Sequence, residues 1–157
     1  MVDVKTRDPS DAALTEITAA LRTEGVLEGA LVLSDIPRVG EWFDGTPART
    51  ALRARQLWEL LPSSDSEALA ANHFLFDHGN VLTARDVALA RGISMEVVPS
   101  VNIFHYDGEE GVEHTVGAGR DITMLWGAGV RRFQIDSVYE SICREAAGAA
   151  DEEGAKL

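Results

Sequence analysis

The sequence predicts a single α+β domain in which helices come first and a run of antiparallel strands follows. Three observations predict it. Capped segments with helical apolar spacing occupy the chain up to Pro62. After residue 70 the pattern changes to short apolar runs separated by turn residues. The 157 residues, 45% of them hydrophobic, suffice for one packed core. That core is expected over roughly residues 9–147, with a frayed tail over 148–157.

The first helix starts at Asp8-Pro9-Ser10-Asp11, where Asp8 suits the cap, Pro9 the first helical position and Asp11 the positive helix end. Leu14, Ile17 and Leu21 share its apolar face, and Gly25 closes it. A short second helix is expected over Leu27–Leu33. A loop follows over Asp35–Gly45, with a short strand near Glu41-Trp42-Phe43. Thr46-Pro47 starts a third helix with Ala51, Ala54, Trp58 and Leu61 on one face, and Pro62-Ser63-Ser64-Asp65 stops it.

The strands are expected at His73–Phe76, Val81–Leu89, Met95–Tyr106 and from Val112 to Val116. Their turns are Asp77-His78-Gly79-Asn80, Arg91-Gly92 and Asp107-Gly108-Glu109-Glu110-Gly111. Pro99 marks a bulge or edge position in the third strand. Gly117, Gly119, Gly127 and Gly129 loosen the chain. Asp136-Ser137 then caps a last helix through Cys143, ended by Gly148. There is no internal repeat.

Charge and cysteine usage exclude several function classes. Acidic residues outnumber basic ones 26 to 14, for a formal net charge of -12. A nucleic-acid partner needs clustered Lys and Arg to displace phosphate counterions, and an anionic membrane surface needs the same. No apolar run approaches the ~20 residues that span a bilayer, and Met1-Val2-Asp3-Val4-Lys5 has no signal-peptide core. The lone Cys143 permits no intrachain disulfide and reads as a small core residue. These features point to the cytoplasm. The four histidines are not clustered as metal ligands, so no metal is expected. Gly117-Ala118-Gly119-Arg120 lacks the Lys and the longer glycine pattern of a phosphate loop.

Three stretches carry a family resemblance. They are Val81-Leu82-Thr83-Ala84-Arg85, Val101-Asn102-Ile103-Phe104-His105-Tyr106-Asp107-Gly108 and Val112-Glu113-His114. With the order of elements, they resemble the SnoaL-like polyketide cyclases and limonene-epoxide-hydrolase-like proteins over roughly residues 12–126. The resemblance implies a nuclear-transport-factor-two-like fold: a cone-shaped, curved antiparallel sheet packed on the N-terminal helices, here with an extra C-terminal helix. It also implies a deep cavity for a small apolar organic molecule, no cofactor, and a homodimer paired through outer sheet faces. The chemistry implied is cyclisation, isomerisation or epoxide opening by acid/base catalysis, of the kind found in secondary metabolism. Strand parity within that fold turns Thr83, Arg85 and Val87 inward, and Val98, Ser100, Asn102 and Phe104 likewise.

The chain departs from the family at its acids. Val87 stands where the epoxide hydrolases carry the first aspartate, with Asp86 on the opposite face. Val116 or Gly117 stands where both groups carry an aspartate on the last strand. The assisting tyrosine and asparagine positions fall near Arg38 and Gly40, and the cyclases' third-strand histidine falls at Asn102. Direct water attack on an epoxide therefore lacks its base.

Arg85, Asn102 and His114 are the candidate catalytic groups. An inward Arg85 would hold an anionic or carbonyl ligand, while an outward one would form a surface pair. His114 suits acid/base work near neutral pH, or faces solvent beside Glu113. Asn102 suits an oxyanion donor, or satisfies nearby backbone. His105 and His73 rank below His114, and His78 reads as a turn residue. Trp42, Thr83, Val87, Val98, Ser100, Phe104 and Trp126 are the candidate substrate-binding residues. Trp58, Phe74 and Phe76 are further aromatic wall or core, and Asp121 either reaches the cavity mouth or caps Ile122–Leu125. The missing aspartates keep open a second reading, a non-catalytic binding protein on the same scaffold. A third is an assembly module whose sheet pairs two copies.

Overall fold

The computed structural model describes residues 1–106 and 113–154, with side chains as far as residue 148. The expected turn at Asp107–Gly111, Val112 at the head of the fourth expected strand, and residues 155–157 of the tail lie outside the described residues. The chain divides into two compact units, Met1–Phe74 and Leu75–Leu157.

Helix and strand do mix, but among the described residues there is no antiparallel cone. Every strand pairing among the described residues for which a register is defined is parallel. Parallel neighbours need a crossover between them, so strands and helices alternate along the chain where a meander was expected. The strand-parity assignments taken from the resemblance lose their basis with it.

Unit 1 begins with β1 (Val2–Asp3) and α1 (Asp11–Thr23). Ser10 caps α1, its hydroxyl accepting from the Ala13 N–H at 3.2 Å. Asp8 and Asp11 instead meet Arg38. A 3-10 turn at Leu27–Gly29 leads into β2 (Leu31–Leu33), where a helix was expected. All three β2 residues are buried. A parallel strand covered on both faces shows a continuous apolar run, which spacing alone does not separate from a helical turn.

Pro37 opens α2 (Pro37–Phe43) in the stretch expected to be a loop. The expected helix from Thr46 is β3 (Arg49–Leu52) followed by α3 (Ala54–Leu60). Gln56 Oε1 takes the Arg53 N–H at 2.7 Å and so starts α3 late. Asp65 caps α4 (Ser66–Asn72), accepting from Glu67 N at 2.8 Å and Ala68 N at 3.3 Å. The strand β4 (His73–Leu75) then begins, and the sheet order is β1-β2-β3-β4. The registers are Val2↔Val32 and Val32↔Thr50. Leu14, Leu27, Val32, Val39 and Phe43 form the core of this unit, with Trp42 packed at its edge.

In unit 2 the expected strand Val81–Leu89 is α5 (Ala84–Gly92). Thr83 and Asp86 decide this through a reciprocal cap: the Thr83 N–H donates to Asp86 Oδ2 at 2.9 Å, and the Asp86 N–H donates to Thr83 Oγ1 at 3.3 Å. The long third strand reduces to β5 (Ser100–Val101), a parallel bridge from Val97 to Leu75, and a 3-10 turn at Ile103–His105. The expected fourth strand is instead the start of α6 (His114–Gly127), which also absorbs the glycines expected to loosen the chain. A Cβ at Gly117 would lie 2.7 Å from the Tyr106 ring, so glycine here permits close packing. β6 (Gln134–Ile135) pairs with β5, and α7 (Glu140–Gly154) runs past Gly148. Val101, Tyr106, Ala118, Ile122 and Tyr139 form the core, with Cys143 packed against it.

No helix among the described residues is long and apolar enough to cross a membrane.

Candidate functional site

A cavity of about 460 Å³ opens in unit 1, within the range of small-molecule sites. Its floor comes from the face of the sheet that carries Val32 and Thr50, which are register partners and so share a side. Ile36, Val39, Glu41 and Asp44 of α2 and its flanks form one wall. Ser34 and Asp35 enter where the chain leaves the carboxyl end of β2, and Arg53 where it leaves β3. Ligands of parallel sheets gather at these ends because the loops there carry the polar groups that the strands exclude.

Two polar contacts organise the cavity. Arg53 Nη2 donates to Asp35 Oδ1 at 2.7 Å. The Arg53 side chain is 29% exposed and that of Asp35 81%, so the pair sits at the mouth and is screened by water. Deeper, Thr50 Oγ1 lies 2.8 Å from His73 Nδ1. Burial pushes the His73 imidazole below its ordinary value of 6.5, while a hydrogen bond to the Thr50 backbone and the Asp44 carboxylate pull the other way. The lowered value leaves His73 neutral at pH 7, able to accept a proton. With Glu41, Asp44, Gln56 and Asn72 also lining it, the cavity holds three carboxylates against one guanidinium. It suits a ligand that presents hydroxyl or amine donors, with Val32, Ile36, Val39 and Leu52 against its carbon skeleton.

None of the catalytic or substrate-binding residues chosen from the sequence lines this cavity, although His73, ranked below His114, does. Trp42 is nearest in the chain, but it packs against the core and donates Nε1–H to Thr18 Oγ1 at 3.1 Å. The others lie in unit 2, where they do not converge. Arg85 is exposed on α5 and Thr83 is its cap. Val87 and Val98 are buried core. His114 Nδ1 lies 3.1 Å from the Tyr139 hydroxyl. Trp126 stacks on Phe133 with rings 6.1 Å apart, under Arg131. Only Ser100 and Asn102 come together, Asn102 Nδ2 donating to Ser100 Oγ at 2.7 Å. Phe104 is exposed on the 3-10 turn beyond them. Asp121 is buried, accepting from the Tyr106 hydroxyl at 3.1 Å and from Arg120 at 3.0 Å. Burial and that carboxylate push the Tyr106 phenol far up, so it stays protonated.

Asp35, Thr50 and Arg53 were missed from the sequence. Their signal was present as short apolar runs, Leu31-Val32-Leu33 and Ala51-Leu52, each ending in polar residues. Read as buried parallel strands, these runs put Ser34, Asp35 and Arg53 at ligand-binding ends.

Among the described residues no group of three or more His, Cys, Asp or Glu side chains is placed to hold a metal ion. No protein-family model matches the sequence, and no curated protein matches it.

Proposed function

We propose that this protein binds a small organic molecule in the unit 1 cavity and transforms it by acid/base chemistry. His73 is the proton acceptor, Thr50 holds its ring, and Arg53 orients the ligand at the mouth. The observation that carries this reading is a half-buried imidazole, kept neutral by its surroundings, on the wall of a 460 Å³ cavity. Proton transfer by a positioned side chain contributes typically ~10²–10⁴-fold to rate.

The acidic lining narrows the ligand. Asp35, Glu41 and Asp44 accept hydrogen bonds, and Ser34, Gln56 and Asn72 add groups that both donate and accept. A polyol or an amine fits this set better than the mostly apolar substrate expected from sequence.

A second reading, binding without turnover, draws support from the partners that Arg53 and His73 already have in Asp35 and Thr50. The test is mass spectrometry of what co-purifies with the protein, followed by incubation of that compound with native protein and with His73→Gln. Conversion by the native chain and loss in the variant supports catalysis. Equal affinity with no conversion by either supports binding alone.

A further inference from the structure

Unit 2 holds a basic hollow in an acidic chain. Arg91 lies in the last turn of α5, and Arg131 and Arg132 follow the left-handed turn at Gly129 that ends α6. Their side chains line one cavity of about 200 Å³, together with the buried Met95 and Val130. Among the described residues Glu96 alone brings a carboxylate to that lining, and it pairs with Arg132 at 2.8 Å. The chain has only 14 basic residues against 26 acidic ones, so three guanidiniums around one hollow run against its overall charge. Like charges held side by side repel, and an anion between them relieves that repulsion.

Arg91 and Arg131 are anchored yet keep donors unspent. Arg91 Nη1 donates to the Ala128 carbonyl at 2.9 Å. Arg131 Nη1 donates to the Trp126 carbonyl at 2.7 Å and the Val130 carbonyl at 2.9 Å, and its guanidinium stands 4.6 Å from the Trp126 ring centroid. A Cβ at Gly129 would collide with Arg91 Nη1, so glycine leaves the room this guanidinium occupies. The carbonyls at a helix end carry about half a charge, too little to neutralise two guanidiniums. Nε and Nη2 of both arginines meet no hydrogen-bond partner and no carboxylate among the described residues.

These donors fit a compact dianion. A planar guanidinium meets phosphate oxygens through two parallel N–H bonds. Two uncompensated guanidiniums match a phosphate group of charge about −2, whereas a carboxylate balances only one. The cavity is smaller than the ~300–1,000 Å³ that encloses a drug-sized ligand, so it suits a phosphate group with little attached. A net charge of -12 opposes a polyanion such as nucleic acid. Side chains already anchored also lose less freedom when the ligand arrives.

We propose that Arg91 and Arg131, assisted by Arg132, form a second site that binds a phosphate group, either as free phosphate or as the end of a small phosphomonoester.

The test is a proton–nitrogen NMR spectrum of the ¹⁵N-labelled full chain that includes the arginine Nε–H resonances. It is titrated separately with sodium phosphate, methyl phosphate and sodium acetate at constant ionic strength. Phosphate is expected to move the Arg91 and Arg131 Nε–H and the Gly129 amide saturably, with acetate binding roughly tenfold more weakly or worse. Methyl phosphate binding as well as phosphate marks an ester as the ligand, and its exclusion marks free phosphate; both uphold the site. Arg91→Gln combined with Arg131→Gln is expected to weaken phosphate binding by roughly tenfold or more. A response to acetate equal to that for phosphate, shifts that spare both arginines, or no saturable response to either phosphate compound overturns the proposal. Should the double variant not fold, the position of the shifts in the unaltered protein and their contrast with acetate decide alone.

Discussion

Thr50 Oγ1 and His73 Nδ1 lie 2.8 Å apart on the cavity wall, although 23 residues separate them in the chain. The register Val32↔Thr50 turns Thr50 toward the cavity, and β4 begins at His73. The contact sets the orientation of the imidazole, which a general base needs as much as a suitable pKa.

Replacing either partner separates catalysis from folding. His73→Gln is expected to lower turnover by roughly 10²-fold or more. Thr50→Val removes the hydroxyl partner of the ring, and is expected to lose turnover by a smaller factor at a stability cost of about 1 kcal/mol. Steady-state rates on the co-purifying compound, beside urea denaturation of each variant, check both. Unchanged turnover in His73→Gln would remove the assigned base.

Stability is expected to fall as pH drops below about 6.5. His73 and His105 both titrate lower in the folded chain than the ordinary value of 6.5, chiefly through burial. Above 6.5 both states carry neutral rings and nothing is lost. Below it the unfolded chain binds protons that the folded chain resists, so unfolding gains until the folded rings also titrate. Urea midpoints measured from pH 8 to pH 5 show this slope, and His73→Gln flattens part of it.

The cap of α5 offers a contrast between neighbours. Thr83→Ala removes the hydroxyl that accepts the Asp86 N–H, and is expected to cost about 1 kcal/mol. In a chain of this length that lowers the melting temperature by about 2–4 °C. Arg85→Ala, exposed two residues on, is expected to stay within about 0.5 kcal/mol and to leave cavity binding unchanged. Thermal melts of the two variants rank them.

Gly117→Ala tests packing in unit 2. The added methyl would meet Tyr106 Cδ1 at 2.7 Å, and that ring is buried and tied to Asp121. A cost of about 1–3 kcal/mol is expected, read from denaturation of the single variant. Gly119→Ala on the same helix finds only ordinary contact with Ile142 at 3.8 Å and is expected to cost less.

Some of this architecture was legible in the sequence. The helix Asp11–Thr23 showed its apolar spacing, which is local, although its cap is Ser10 and not the expected Asp8. The parallel strands were not legible, because a buried strand of two to four residues has no alternation to read: Leu31-Val32-Leu33 resembles a helical turn and Arg49–Leu52 continues an apparent helix. The capping pair Thr83 and Asp86 has a Thr-x-x-Asp spacing, but the apolar run between turn residues over Val81–Leu89 reads as a strand and hides it. The expected site followed that assignment to Arg85, Asn102 and His114. The cavity residues Asp35, Thr50 and Arg53 emerge only once parallel register brings separate strand ends together.

The measurement closest to the central claim is a backbone and imidazole chemical-shift map of the labelled chain with the co-purifying compound added. The account predicts saturable shifts at Ser34, Asp35, Thr50, Arg53 and His73, with the His73 ring nitrogens among the largest. A map that spares those residues and centres on Arg85 and His114 would contradict it.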